Sequence, residues 1–280
     1  MICTAAKVAF RSFFLSFLLF LFFEYLQVRS TNQYIPLYFL VYIIVSMVVY
    51  CLSKLFFGGF LEIALRAAFL GSIFALGICV KFFTPPQWQI FGAYMCVMAF
   101  FHFSEFMVIA IIQPKQVSTS SFVINHSPQY IIAAMSSWIE FLIECYIFPG
   151  MKQINWLSNI GLLMCILGEI LRKVAMLTAG SSFSHLVQHE KSSDHVLVTH
   201  GVYAWFRHPS YVGWFYWSIG TQILLLNPLC LPAYAITSWT FFKSRIYIEE
   251  ITLLNFFGRN YCDYQQNVGT GIPFIEGYRI

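Results

Sequence analysis

The sequence predicts an all-α protein, a polytopic membrane bundle of about eight transmembrane helices. Three observations point there. Hydrophobic residue types make up 59% of the chain and charged ones only 10%, against the roughly 25% charged residues of a soluble domain. Mean hydropathy is +0.71. Apolar runs near the ~20 residues needed to cross a bilayer follow one another almost without spacers.

Reading from the N-terminus, the first span, 8–27, follows Lys7 and Arg11; it is too long for a signal-peptide core, lacks a small-x-small cleavage pattern, and is expected to stay as an anchor. A polar break at 29–32 precedes the second span, 34–57, which Gly58-Gly59 turns tightly into the third, 60–83. Thr84-Pro85-Pro86 ends that helix and opens the fourth, 88–112. The polar stretch 114–127 leads to the fifth, 128–149, and Pro149-Gly150 to the sixth, 154–178. After a long polar segment, 180–207, come the seventh, 208–226, and the eighth, 229–257, joined by an Asn227-Pro228 hairpin.

An even number of spans puts both termini on one side. Ten basic residues (Lys7, Arg11, Lys54, Lys115, Arg172, Lys173, Lys191, Arg207, Arg259, Arg279) fall on that side and three (Arg29, Lys81, Lys152) on the other, which predicts cytosolic termini. The sequon Asn125-His126-Ser127 then sits in a cytosolic loop and stays unglycosylated. Arg66, Lys243 and Arg245 lie inside spans. The net charge of +4 is explained by topology and gives no support to nucleic-acid binding. Eight scattered cysteines without a C-x-x-C pair argue against a disulfide framework or a thiolate metal site.

The first 150 residues form five spans with little chemistry. Their intramembrane polar residues, Glu24, Glu62 with Arg66, His102 with Glu105, and Glu140 with Glu144, are read as interhelical pairs or snorkelling groups before any functional role. Residues 151–280 differ, with three spans, a polar segment and a tail. Five of the seven histidines (His185, His189, His195, His200, His208) fall within 180–211, beside Gln188, Glu190, Asp194 and Tyr203. His185 and His189 have helical-face spacing, but no H-x-x-H-H box accompanies them, so no metal is expected.

Arg207-His208-Pro209-Ser210-Tyr211 precedes the seventh span. Proline fits the first turn of a helix, whose free amides and positive dipole end can receive an anionic group. Along the eighth span, Arg245 lies ~24 Å from the start at 1.5 Å per residue, so it sits just below the surface where His208 begins its helix. Arg245 and Glu249 share one helical face; Lys243 and Glu250 share a roughly opposite one, and each pair could simply be an intrahelical bridge.

Over 168–274 the chain resembles the isoprenylcysteine carboxyl methyltransferases in three ordered segments, GEILRKVAMLTAGSSFSHLVQ, HVLVTHGVYAWFRHPSYVGW, and RIYIEEITLLNFFGRNYCDY followed by TGIPFI. The resemblance implies an endoplasmic reticulum enzyme that methylates the C-terminal α-carboxylate of S-prenylcysteine on processed C-a-a-X proteins such as small GTPases. The donor would be S-adenosylmethionine and the product S-adenosylhomocysteine. Carried onto this sequence, the cofactor site uses Gln188, His195, Val196, Leu197, Val198, Tyr203, His208, Pro209, Ser210, Tyr211 and Glu249, and the catalytic, substrate-binding arginine is Arg245. A membrane sterol reductase using NADPH is the alternative enzyme, and a non-enzymatic scaffold the alternative outside catalysis.

Overall fold

The computed structural model describes residues 3–30, 47–48, 51, 54–55, 58–124, 127–188, 190–191 and 195–278. All regular structure among them is helical. The helices are α1 (Thr4–Ser30), α2 (Leu61–Phe83), α3 (Pro86–Ile112), α4 (Pro128–Ile147), α5 (Asn155–Ala179), α6 (Pro209–Leu225), α7 (Cys230–Phe257) and α8 (Arg259–Asn267), with short 3-10 turns between several of them. The observed ends fall within a few residues of the predicted spans, because prolines start α3, α4 and α6 where a missing amide costs nothing. The second predicted span, 34–57, and the sequon residues Asn125 and His126 lie largely or wholly outside the described residues.

Among the described residues, four segments are long and apolar enough to cross a membrane, Thr4–Phe22, Leu61–Phe83, Pro86–Ile112 and Pro128–Ile147. Helices α5 and α7 carry Glu169, Arg172 and Lys173, and Lys243, Arg245, Glu249 and Glu250, while α6 is only 17 residues long. The count of eight spans is therefore approximate: these last helices dilute their apolar character with the groups that build the site.

The chain divides into two compact units, residues 1–132 with 148–153, and residues 133–147 with 154–280. In the first, α1, α2 and α3 pack around Phe13, Leu70, Phe103, Phe106 and Phe122. Two of its polar side chains find partners close by. The His102 ring meets the Phe122 carbonyl at 3.0 Å and the Tyr130 hydroxyl at 3.2 Å. Arg66 donates to the Thr119 carbonyl at 3.2 Å, so its partner is the 3-10 turn and not Glu62.

In the second unit α5 and α6 cross at almost backbone contact. A Cβ added to Gly168 would stand 2.6 Å from the Gly213 carbonyl oxygen, and one on Gly213 equally close to that of Gly168. Only glycine permits this approach, which aligns the Arg172 turn of α5 with the N-terminus of α6. At the opposite end of α6, Glu140 of α4 accepts the backbone amides of Leu229 and Cys230 at 2.6 and 2.7 Å and caps α7. Asn227 donates to the Ser137 carbonyl at 2.9 Å, and Ser137 to Gln222 at 3.0 Å. The buried Glu140 thus has the structural role expected of it.

Candidate active site

Where α6 begins and α7 approaches its end, the polar segment 180–207 folds over both helices. It encloses a cleft lined by Gln188, His195, Val196, Leu197, Val198, Tyr203, His208, Ser210, Tyr211 and Glu249, together with Arg207, Phe256, Phe257, Tyr261 and Tyr264. Every residue assigned to the cofactor lines this cleft except Pro209, which is buried and starts α6. Its contribution is to aim its neighbours: the fixed proline φ sets His208, Ser210 and Tyr211 on one turn.

Arg245 lies outside the cleft, on an open, mainly apolar groove formed along α7 by Ile236, Thr237, Thr240, Phe241, Ser244 and Ile248. Cleft and groove meet at Tyr211. Its hydroxyl donates to Glu249 Oε2 at 2.6 Å and accepts from Arg245 Nε at 3.3 Å. The intrahelical Arg245–Glu249 bridge that the spacing allowed as the simpler alternative is therefore replaced by a tyrosine inserted from α6. The Arg245 guanidinium also donates to the His185 carbonyl.

The Lys243–Glu250 pairing is likewise replaced. Lys243 rests over the Trp239 ring at 5.0 Å, and Glu250, fully buried, accepts from Arg207 Nε at 2.8 Å and His208 Nε2 at 3.0 Å. The His208 ring stacks on Tyr211, centroids 5.6 Å apart and planes 7° from parallel. At the N-terminus of α6, the amides of Tyr211 and Val212 turn back to the His208 carbonyl at 3.0 Å each. Ser210 lies on the same turn, and its Oγ accepts from Arg172 at 2.8 Å.

Arg172 is 1% exposed and lies 4.7 Å from the Trp214 ring. Arg172, Lys152 and Arg207 entered the charge count as loop residues, yet all three are buried. Sequence reasoning missed Arg172 and Glu250 as parts of the site. The signal available for Arg172 was its helical position about three turns from Gly161, on the face that small residues mark as a contact.

The cleft offers unsatisfied polar capacity. His195 Nε2 lies 3.3 Å from the Ser182 carbonyl, which makes that nitrogen the donor, while its buried Nδ1 has no partner among the described residues. An acceptor is thus held between the Phe256 and Phe257 rings, ready for a donor group on a ligand. Tyr203 is pushed well up by burial, reinforced by the Glu249 carboxylate, so its phenol stays protonated. The five histidines disperse: His208 pairs with Glu250, His195 enters the cleft, His200 is exposed, His185 packs edge-on to Phe183, and His189, like Asp194, lies outside the described residues. No group of three His, Cys, Asp or Glu among the described residues could hold a metal ion.

The family model for isoprenylcysteine carboxyl methyltransferases matches residues 160–255. Over 233 residues, 83% of each chain, the sequence is 73% identical to the protein-S-isoprenylcysteine O-methyltransferase of Tribolium castaneum. The Homo sapiens protein of the same name is 55% identical over 219 residues, 78% of this chain and 77% of that one. A solved structure of the eukaryotic intramembrane Ras methyltransferase superposes with a TM-score of 0.94 at 62% identity, covering 99% of this chain and 100% of the other.

Proposed function

The chain belongs to the isoprenylcysteine carboxyl methyltransferase family and esterifies the C-terminal carboxylate of S-prenylated cysteine; we propose that S-adenosylmethionine, held in the cleft between the 180–207 segment, α6 and α7, is the donor. The relatives named above are all methyltransferases, which leaves the sterol-reductase and scaffold alternatives without support.

One observation carries the assignment of sides. Tyr211 separates the cleft containing Glu249 from the apolar groove that includes Arg245, so donor and acceptor sites meet across a single hydroxyl. When bound, the donor supplies a methyl carbon on a positive sulfonium, and the carboxylate oxygen takes it as sulfur keeps the electron pair. The α-carboxylate, with a pKa near ~3.5, is already ionised, so the site needs no general base.

What remains for the protein is positioning. Glu249 holds the ammonium of the donor's amino-acid part, and the Ser210 turn of α6 receives its carboxylate. His195 Nδ1 accepts from the nucleoside end. Arg245 fixes the plane of the prenylcysteine carboxylate through paired hydrogen bonds. Leaving lipid would cost the prenyl chain on the order of 10 kcal/mol, and the α7 groove offers it an apolar face leading to Arg245, so the substrate enters sideways from the membrane.

The first 150 residues then serve as the membrane-embedded support and 151–280 as the catalytic part, in an endoplasmic reticulum membrane with both termini cytosolic. Processed C-a-a-X proteins such as small GTPases are the substrates. The deciding experiment is a vapour-phase methylation assay with purified protein, S-adenosylmethionine and N-acetyl-farnesylcysteine. Volatile methyl release from the ester is expected; its absence, or a melting-temperature shift with NADPH and none with S-adenosylhomocysteine, overturns the reading.

A further inference from the structure

Beyond α8 the chain turns back and threads into the second unit as a strap, residues 269–278. Its seating is specific. The Arg207 amide donates to the Gly269 carbonyl at 2.8 Å, and the Arg207 guanidinium donates to the carbonyls of Gln265, Val268 and Glu276. Ile272 and Ile275 are buried against Val212, Phe215, Phe242 and Ile246.

At the centre of this arrangement lies Glu250, whose two oxygens serve different masters. Oε2 accepts the Tyr278 amide at 2.8 Å and Gln265 Nε2 at 3.1 Å, both from the chain after α7. Oε1 accepts His208 Nε2 at 3.0 Å, Arg207 Nε at 2.8 Å and the Tyr261 hydroxyl at 3.2 Å. Gly277 passes so near, at φ +80°, that an added Cβ would overlap the carboxylate. No residue of the strap lines the cleft, whereas His208, Tyr211 and Tyr261 all do.

We propose that the strap is a positioning element for the donor cleft, acting through Glu250 on His208 and Tyr211; the inference rests on the donor site proposed above. A carboxylate this deeply buried keeps its place only while its partners on both sides are present. With the strap seated, Glu250 fixes the His208 ring by its Nε2 proton, and the ring, stacked on Tyr211, holds the hydroxyl between Glu249 and Arg245. With the strap displaced, Oε2 loses the Tyr278 amide, and the carboxylate re-pairs at the expense of His208.

The test uses the full-length protein and reads donor binding separately from turnover. Gly277→Ala should weaken S-adenosylhomocysteine by roughly tenfold in calorimetry and slow turnover, with a smaller change in the KM for N-acetyl-farnesylcysteine. A folded variant with normal binding and turnover overturns the proposal. Should Gly277→Ala fail to fold, the wild-type protein decides by hydrogen exchange, because coupling is reciprocal. Saturating S-adenosylhomocysteine should slow exchange across 269–278 as well as 195–211; protection confined to 195–211 overturns it. Absence of any S-adenosylhomocysteine binding to wild type identifies the donor assignment as the failure, and the strap's role falls with it.

Discussion

The Tyr211 hydroxyl donates to Glu249 at 2.6 Å while accepting from Arg245, so one oxygen spans the two sides of the site. Tyr211→Phe keeps the ring stacked on His208 and removes only this bridge. Losing a hydrogen bond to a charged group costs about 1.5–3 kcal/mol, and kcat should fall roughly ten- to hundredfold in the methylation assay. Turnover within twofold of wild type would reduce the hydroxyl to a packing detail.

Arg245→Lys keeps the charge but loses the planar fork that reaches Tyr211 and the His185 carbonyl together. Methylation of N-acetyl-farnesylcysteine should drop steeply, while S-adenosylhomocysteine affinity changes far less because the cleft is lined by other residues. Near-normal activity would sink the carboxylate-clamp assignment.

Glu249→Ala should act on the other side of Tyr211. Calorimetry with S-adenosylhomocysteine should show about ten- to hundredfold weaker binding, the worth of one charged partner, and the KM for the prenylcysteine should move less. Unchanged affinity in the folded variant would leave Glu249 as a structural acceptor for Tyr211.

At the α5–α6 crossing, Gly168→Ala places a methyl against the Gly213 carbonyl and the Trp217 backbone. Overpacking of this kind costs about 1–3 kcal/mol, which should appear as a lowered melting temperature in detergent. Since the same crossing aligns Arg172 with Ser210, donor affinity should fall in parallel. An unaffected melting temperature would mean that the helices can separate freely.

Topology has an independent check at Ser120, which is exposed on a 3-10 turn between α3 and α4. With the exposed Cys51 replaced by serine, Ser120→Cys should react with a membrane-impermeant maleimide added from the cytosolic side. Labelling only from the lumen would invert the orientation.

Much of this protein was legible before any folding was considered. Span positions follow from a local quantity, the apolar length a bilayer demands, and proline marked the starts of three helices. The depth match between His208 and Arg245 also followed from rise per residue alone. The motif residues around Tyr211 could be named because their contiguous segment resembles the isoprenylcysteine carboxyl methyltransferases.

Only the tertiary structure decided which charges belong together. Helical periodicity along α7 put Arg245 with Glu249 on one face and Lys243 with Glu250 on another, yet Tyr211 from α6 enters the first pair, and Arg207 and His208 take Glu250 from the second. Arg172 counted as a loop charge until the glycine crossing carried it inside. The reason is physical: hydrophobic length and backbone geometry are properties of a segment, whereas a buried charge chooses its partner by the relative register of helices and tail. That register is fixed by packing between residues as far apart as His208 and Glu250 or Glu250 and Tyr278, so it exists only once the chain has folded.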